Sequence, residues 1–500
     1  MHSPQDTIAA LATPLGEGGL GVIRVSGAQA IAIVKEIFKP AKPIDLTTIP
    51  SHTCHFGTIV SKTPSPGGTT GEGGDEGTVS ALTLHPLPPP AGEGTQEVDQ
   101  VIVTLFRAPH SYTGEDVVEI SAHGSPYTLQ KILNLILSQG RPPDVWRARL
   151  AGPGEFTQRA FLNGKMDLTQ AEAVAELIHA KADRTQAAAL AQMQGHLARK
   201  VRLLRDNLLP LLAHIEVGLD HSDEDHDFLS RANLAARSWE VQNEIEALLQ
   251  SARVGKTLRE GLRVALLGRP NVGKSSLLNA LLKEERAIVT PTPGTTRDTL
   301  EESVNMNGIP VVLTDTAGLR PESQDPIERM GMERTRRCLE QADVVLGLFD
   351  GSEAFSAEDE HVILQALTKP HIWVVNKSDL PRRFALETLQ SMNGSDPVVT
   401  LSAKTGEGLE DLIQQVTRLD MVEKSISAEA QWLLNTRHQA ALERARDALA
   451  LATQAAQAEN FEECVALELQ TALGALGEII GETTTEDLLD QIFSTFCIGK

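Results

Sequence analysis

Cysteine is scarce in this chain, with four in 500 residues. Cys54, Cys338, Cys464 and Cys497 are scattered without C-x-x-C spacing, which argues against a disulfide framework and a cysteine zinc site. A reducing compartment fits, and a cytoplasmic location is expected. Aromatic residues make up only 4% while alanine and leucine are abundant, a balance that favours helix. Long apolar runs are missing as well; none approaches the ~20 residues that a membrane-spanning helix needs. Met1-His2-Ser3-Pro4-Gln5-Asp6 has no basic stretch followed by an apolar core, so no secretion signal is expected. Positive charge is in deficit: 45 Lys and Arg face 67 Asp and Glu, for a net charge of −22. That excludes a general electrostatic grip on a polyanion, so any RNA must be met by a local basic patch or through a partner.

A chain of this length exceeds what one hydrophobic core usually serves. Gly21 to Ser26 reads as a strand, Ala28 to Phe38 as a helix, Val101 to Phe106 as a strand and about 125–138 as a helix. Residues 1–160 are therefore expected to form an N-terminal α+β domain. Residues 62–97, rich in Gly, Pro, Ser and Thr, read as a disordered insertion within it. Helical spacing then dominates 161–262, with Leu203, Leu204, Leu208, Leu211, Leu212 and Ile215 recurring at three- and four-residue steps, and returns over 421–500. Trp432, Leu433, Leu442, Leu449 and Leu451 mark one later helix, and Thr483 with Glu486 reads as the capping box of the last. Between them, 263–420 alternates strands and helices. The fold class is thus multidomain, α/β and all-α: a helical domain interrupted by an inserted α/β domain of the Ras-like P-loop kind. Insertion is tolerated where the ends of the guest lie close together.

The inserted stretch carries the chemistry. Arg263-Val264-Ala265-Leu266-Leu267 is a buried parallel strand by composition and leads into Gly268-Arg269-Pro270-Asn271-Val272-Gly273-Lys274-Ser275, followed by Ser276 and an apolar helix. Glycines let the backbone curl so that its N–H groups face phosphate oxygens, and the helix N-terminus adds its positive end. Lys274 is placed to reach the β- and γ-phosphates and the Ser275 hydroxyl to bind Mg²⁺. Three further elements follow, each after a strand. In Asp315-Thr316-Ala317-Gly318, Asp315 can hold Mg²⁺ through water and the Gly318 N–H can sense the γ-phosphate. In Asn376-Lys377-Ser378-Asp379, Asp379 accepts two hydrogen bonds from guanine and Lys377 covers the base. Ser402-Ala403-Lys404 offers a backbone N–H to the guanine oxygen. Adenine presents an acceptor where guanine has its ring N–H, so ATP would leave a buried charge unpaired. Four such elements, each at the carboxyl end of a strand, predict a GTP-hydrolysing enzyme.

Cleavage needs more than these. Many GTPases orient the attacking water with a Gln just after the Asp-x-x-Gly element. Here that position is Leu319, which cannot do so. Residues 290–298, Thr-Pro-Thr-Pro-Gly-Thr-Thr-Arg-Asp, resemble the switch of potassium-activated GTPases of the TrmE-Era-EngA-like group. The resemblance implies that Thr296 completes the Mg²⁺ shell. It also implies that Asn271 binds a K⁺ beside the phosphates, with the switch at Thr290, Thr292 and Thr295 completing the site. The cation would then do the electrostatic work of an arginine finger. An Asn in this loop otherwise serves as a loop-stabilising amide. Glu328 is assigned to the attacking water by resemblance; its bland alternative is a solvated surface carboxylate.

The ends of the chain narrow the family. Phe496-Cys497-Ile498-Gly499-Lys500 resembles the closing motif of the tRNA modification GTPase family MnmE (TrmE). So do Asp6-Thr7-Ile8-Ala9-Ala10, Ser111 to Glu119 (Ser-Tyr-Thr-Gly-Glu-Asp-Val-Val-Glu) and Phe161-Leu162-Asn163-Gly164-Lys165-Met166-Asp167-Leu168. The resemblance covers nearly the whole chain except 62–97. It implies an N-terminal folate-binding domain that also forms the homodimer, with folate contacts at Arg24, Glu119, Lys165 and Lys500. It further implies an FAD-containing partner, MnmG (GidA), in a heterotetramer. With that partner and a methylene- or formyl-tetrahydrofolate donor, such proteins install an aminomethyl-type group on carbon five of the wobble uridine of tRNA. Cys497 is a tempting nucleophile, although a small apolar residue in a C-terminal loop is the commoner fate of such a Cys. Ser125 and Gly152 depart from the family pattern, where Gly and Arg are usual.

Two other features are decoys. Gly16-Glu17-Gly18-Gly19-Leu20-Gly21 fits G-x-G-x-x-G but precedes a strand instead of following one, so it is no dinucleotide site. The Asp220–Asp227 run matches no common metal spacing and reads as a solvated acidic loop. The rival readings are a GTP-dependent ribosome-assembly or RNA-binding switch, and a one-carbon enzyme whose GTPase domain is only regulatory.

Overall fold

The computed structural model describes residues 6–62, 95–139, 148–180, 182–220, 230–284, 301–315, 336–384, 389, 396–419, 432, 434–456 and 462–500. The chain forms two compact units, Met1–Asp167 with Thr484–Lys500, and Leu168–Thr483. Among the described residues no helix is long and apolar enough to cross a membrane.

The first unit is built on strands β1 (Thr7–Leu11), β2 (Gly18–Ser26), β3 (Phe38–Pro40), β4 (Thr53–Lys62), β5 (Thr95–Phe106), β6 (Val117–Gly124) and β7 (Ala148–Leu150). They make one seven-stranded sheet in the order β3-β4-β5-β6-β2-β1-β7, antiparallel except for β1 with β7. Period-two alternation decides its faces. On β6, Val118, Ile120 and Ala122 enter the core, while Glu119 and Ser121 sit half-buried on the other face. Helices α1 (Ala30–Ile37) and α2 (Pro126–Ser138) cover the core face with Ile33, Val34, Ile132 and Ile136. Helix α3 (Glu155–Leu162) contributes Phe156 to a smaller cluster with Ile8, Ala10 and Ala151. The segment expected to be irregular, 62–97, is entered and left by paired strands, since Lys62 on β4 pairs with Thr95 on β5. The pattern reading missed this because the flanking polar residues give no apolar alternation; residues 63–94 lie outside the described residues.

The last helix, Glu486–Phe493, and the chain end belong to this first unit, whereas the sequence reading had grouped 421–500 with the helical domain. Long-range contacts place them there. Pro153 bridges to Ile498, and the Gly154 N–H donates to the Cys497 carbonyl at 3.3 Å. The expected cap is also displaced. Thr485, not Thr483, is the N-cap, its hydroxyl accepting from the Leu488 N–H. Thr483 is engaged elsewhere and donates to the Gly474 carbonyl at 3.1 Å.

The second unit opens with four helices: α4 (Leu168–His179), α5 (Asp183–Met193), α6 (His196–Asp220) and α7 (Arg231–Glu260). It continues through β8 (Leu262–Leu267), α8 (Lys274–Glu284), β9 (Glu301–Met306), β10 (Ile309–Asp315), β11 (Val344–Asp350), α9 (Ala357–Ala366), β12 (His371–Asn376), β13 (Val398–Thr400) and α10 (Leu409–Thr417). It closes with helices α11 (Thr436–Ala455) and α12 (Glu462–Ile480). Helix α11 packs on α7 and α12, and α12 on α6. Leu204, Leu208, Leu211, Leu442, Leu449, Leu469 and Leu476 are wholly buried in that core. Each such leucine contributes about 2 kcal/mol by leaving water. Helix α11 starts later than Trp432 and Leu433 suggest, because the Asn435 side chain caps it by accepting from the His438 N–H. Leu451 lies within this helix and is half exposed.

One polar knot fixes this helical core. Glu172 of α4 accepts from Asn435 Nδ2 at 2.9 Å and from Arg437 at 3.0 and 2.7 Å, and lies 2.7 Å from His438 Nε2. Burial pushes its carboxyl up, but His438 and Arg437 outweigh burial and hold it well below the usual carboxylate range. Removing one partner from so buried a set costs about 3–5 kcal/mol, because the survivors keep an uncompensated charge. A carboxylate with a depressed folded pKa stabilises above its ordinary range and loses that effect as pH falls below it.

Between the helices lies a six-stranded sheet in the order β13-β12-β11-β8-β10-β9, parallel except for the β9–β10 hairpin. Central β11 is buried along its whole length, as a parallel strand covered on both faces should be. All four motif loops therefore leave the same edge of the sheet.

Candidate active site

The phosphate loop runs from the end of β8 into α8. Asn271 and Gly273 both have positive φ, 65° and 99°, so the chain curls as the motif requires. Glycine at 273 is also demanded by space, since a Cβ there would stand 2.3 Å from Asn376 Nδ2. Lys274, the first residue of α8, is 8% exposed and donates to the Gly268 and Arg269 carbonyls at 2.7 and 3.0 Å. Burial pushes its ammonium below the ordinary lysine value, and Asp315 acts in the opposite sense. An arriving polyphosphate would supply the counter-charge that this buried cation lacks. The Ser275 hydroxyl donates to Asp315 Oδ2 at 3.0 Å, which brings together two strands' worth of oxygen ligands. Asp315 Oδ1 is buried with no hydrogen-bond partner among the described residues. An unpaired buried carboxylate oxygen beside a hydroxyl fits a hard cation such as Mg²⁺.

The guanine side is equally knit. Asn376, 2% exposed at the end of β12, donates to the Val272 carbonyl at 2.8 Å. Its Oδ1 accepts from the Lys377 and Ala403 N–H groups at 2.8 and 3.0 Å. One amide thus ties the phosphate loop to both guanine-side loops. The Ser402 hydroxyl donates to Asp379 Oδ1 at 2.8 Å and orients that carboxylate. A cavity of about 800 Å³ opens between Gly273, Lys377, Asp379, Leu380, Ala403 and Lys404, within the size range of nucleotide and ligand sites. The structure therefore brings Val272, Gly273, Lys274, Ser275, Ser276, Asp315, Asn376, Lys377, Asp379, Ser402, Ala403 and Lys404 to one sheet edge. Asn271 is exposed on the same loop. Thr290, Thr292, Thr295, Thr296, Thr316, Ala317, Gly318, Leu319 and Glu328 lie outside the described residues.

Sequence reasoning missed the residues behind these loops. Arg269 reaches Glu353 at 2.8 Å and the wholly buried Asp359 at 3.1 Å. Asp350 closes β11 and pairs with Lys377 at 2.5 Å. Asp350 also stands at the carboxyl end of a buried strand, but no motif marks it, and only the placement of β11 between β8 and β12 brings it to the site.

In the first unit, Arg24 and Glu119 face each other across β2 and β6, with Arg24 nitrogens 2.9 and 2.8 Å from Glu119 Oε1. Arg24 also donates to the Gly499 carbonyl at 3.2 Å and lies over the rings of Tyr112 and Phe156. Gly499, at φ 96°, is needed for close approach: a Cβ would stand 2.1 Å from the Leu11 carbonyl. The chain end that carries Lys500 is thereby pressed beside the Arg24–Glu119 pair. Lys165 is held by the Pro109 carbonyl at 2.9 Å. Cys497 is exposed.

A family model described as "GTP-binding protein TrmE N-terminus" matches residues 7–165, and one described as "MnmE helical domain" matches residues 168–497. The "tRNA modification GTPase MnmE" of Symbiobacterium thermophilum is 44% identical over 99% of this chain and 100% of its own length. The protein of the same name from Moorella thermoacetica is 44% identical over 99% of both chains. That of Heliobacterium modesticaldum is 41% identical, again over 99% of both.

Proposed function

This chain belongs to the MnmE family of tRNA modification GTPases and hydrolyses GTP. From that premise we propose that its hydrolysis serves the modification of carbon five of the tRNA wobble uridine. An FAD-containing partner of the MnmG kind and a tetrahydrofolate one-carbon donor take part. The observation that carries this reading is the juxtaposition of Arg24, Glu119 and the Gly499–Lys500 chain end in a unit separate from the GTP loops. A cation and a carboxylate on one face suit a ligand with an acidic tail and an amino-bearing ring, which is the chemistry of a folate. Full-length likeness to modification enzymes favours this over a ribosome-assembly switch.

Residues 1–160 act as the folate-binding and dimer-forming domain, 263–420 as the GTPase domain, and the flanking helices as their carrier. In the GTPase domain Lys274 holds the β- and γ-phosphate charge. Asp379 reads the two donors of guanine, and the Ala403 N–H meets its oxygen. Ser275 and Asp315, with Thr296, would hold Mg²⁺, which would supply positive charge against the phosphates. Asn271, with Thr290, Thr292 and Thr295, would hold K⁺ beside the phosphates, and Glu328, assigned by resemblance, would orient the attacking water.

Reconstitution tests the modification. Wobble-uridine tRNA is incubated with this protein, the FAD partner, GTP and methylene-tetrahydrofolate, and its nucleosides are analysed by mass spectrometry. The modified nucleoside is expected to form only with all components and to drop at least tenfold with Arg24→Ala. Modification that is indifferent to the folate donor would refute the folate assignment.

A further inference from the structure

Asp350 lies at the carboxyl end of β11, between the strands that deliver Gly268 and Asn376. It is 3% exposed. Its Oδ1 accepts from the Ser352 N–H and hydroxyl at 2.9 and 2.6 Å. Its Oδ2 accepts from the Lys377 ammonium at 2.5 Å. The main chains of the two loops are also joined: the Gly351 N–H donates to the Asn376 carbonyl at 2.8 Å. The Gly351 carbonyl in turn accepts from the Arg383 and Phe384 N–H groups at 2.9 and 3.2 Å. Lys377 itself has φ 64°, so its Cα sits in the left-handed region and the direction of its stem is set by the backbone. Both ends of this lysine are therefore fixed, and the stem between them lines the cavity that also holds Asp379 and Lys404.

We propose that Asp350 is a positioning residue for guanine recognition and acts through Lys377. It holds the ammonium at the rim, which lays the aliphatic stem across the space where the base enters. The inference rests on the reading of Asn376–Asp379 as the guanine loop. The physical reason is pre-organisation. A free lysine stem samples many rotamers, and ordering it on binding weakens affinity. A charge-assisted hydrogen bond from a buried carboxylate removes that freedom before the nucleotide arrives. Ser352 occupies the other oxygen and keeps the carboxylate aimed.

The test is a double-mutant cycle on the full chain, read by stopped-flow binding of a fluorescent GDP analogue. Lys377→Met and Asp350→Asn are each expected to raise Kd about tenfold through faster release, with the loss in GTP turnover falling on KM. The double variant is expected to be no weaker than either single one, and Asp350→Glu to recover part of the loss. Ser352→Ala guards against a purely structural effect: it removes the hydroxyl bond to Asp350 Oδ1, leaves the backbone N–H bond that keeps the carboxylate aimed, and is expected to lower the unfolding midpoint without reproducing the tenfold change. Losses that multiply in the double variant would overturn the proposal. So would tighter binding by Asp350→Asn, which would mean that the aspartate withdraws the lysine from the site. If Lys377→Met changes nothing, the guanine-loop reading itself fails. If Lys377→Met weakens binding and Asp350→Asn is silent, only the positioning role is lost.

Discussion

Lys274→Ala is expected to lower kcat/KM for GTP by about 10³-fold, the size of effect seen when a pre-aimed charge in a water-poor site is removed. The lysine is 8% exposed and already anchored to two loop carbonyls, so its charge is held in place before any nucleotide binds. Such a group needs no reorganisation as negative charge builds on the γ-phosphoryl oxygens. The expected loss exceeds what a surface lysine could give, because an exposed pair contributes no more than about 1 kcal/mol. Steady-state turnover measures it, and circular dichroism checks that the variant is folded. A loss below tenfold would mean that the phosphates lie elsewhere.

Asp379→Asn is expected to cost GTP about 10³-fold in kcat/KM and to confer use of xanthosine triphosphate. Guanine offers two adjacent donors, the ring N–H and the amino group, which an ionised carboxylate can accept together. An amide has one acceptor and one donor, so a donor would face a donor in a half-enclosed cavity. Xanthine replaces the amino group by a carbonyl and so fits the amide. The Ser402 hydroxyl at 2.8 Å would keep the new side chain in the same orientation. Turnover of the two nucleotides in parallel decides the matter. Loss of GTP use without gain of xanthosine triphosphate would show that Asp379 supports the loop and does not read the base.

The GTPase site was legible because its signals are local. Each motif is a few residues long and follows a buried strand of branched apolar residues, so sequence order already gives the sheet edge. What lay behind the loops was not legible. Asp350 and Asp359 look like any acidic residues near a turn until β11 is placed between β8 and β12, and Arg269 looks like a filler position of the motif. The packing of the chain end was not legible for a related reason: contacts place it with the first unit, although the family model of the helical domain runs to residue 497. Helical periodicity continues past Ile480 into Glu486–Phe493, and nothing local says that the second helix packs with another unit. The deciding contacts, Arg24 to Gly499 and Pro153 to Ile498, join residues more than 300 positions apart. The three threonines at 483–485 each could have capped the last helix. The choice of Thr485 became visible only once Thr483 was seen bonded to Gly474.

On the proposed mechanism this loop hydrolyses GTP with a monovalent cation doing the work of an arginine. GTP turnover in K⁺ against Na⁺ buffer, for the wild type and for Asn271→Ala, tests it most directly. K⁺ is expected to accelerate the wild type by on the order of 10²-fold, and Asn271→Ala to lose this response while still binding GDP. Turnover that is the same in both salts, or a variant that still responds to K⁺, would contradict it and leave Asn271 as an amide that merely shapes its loop.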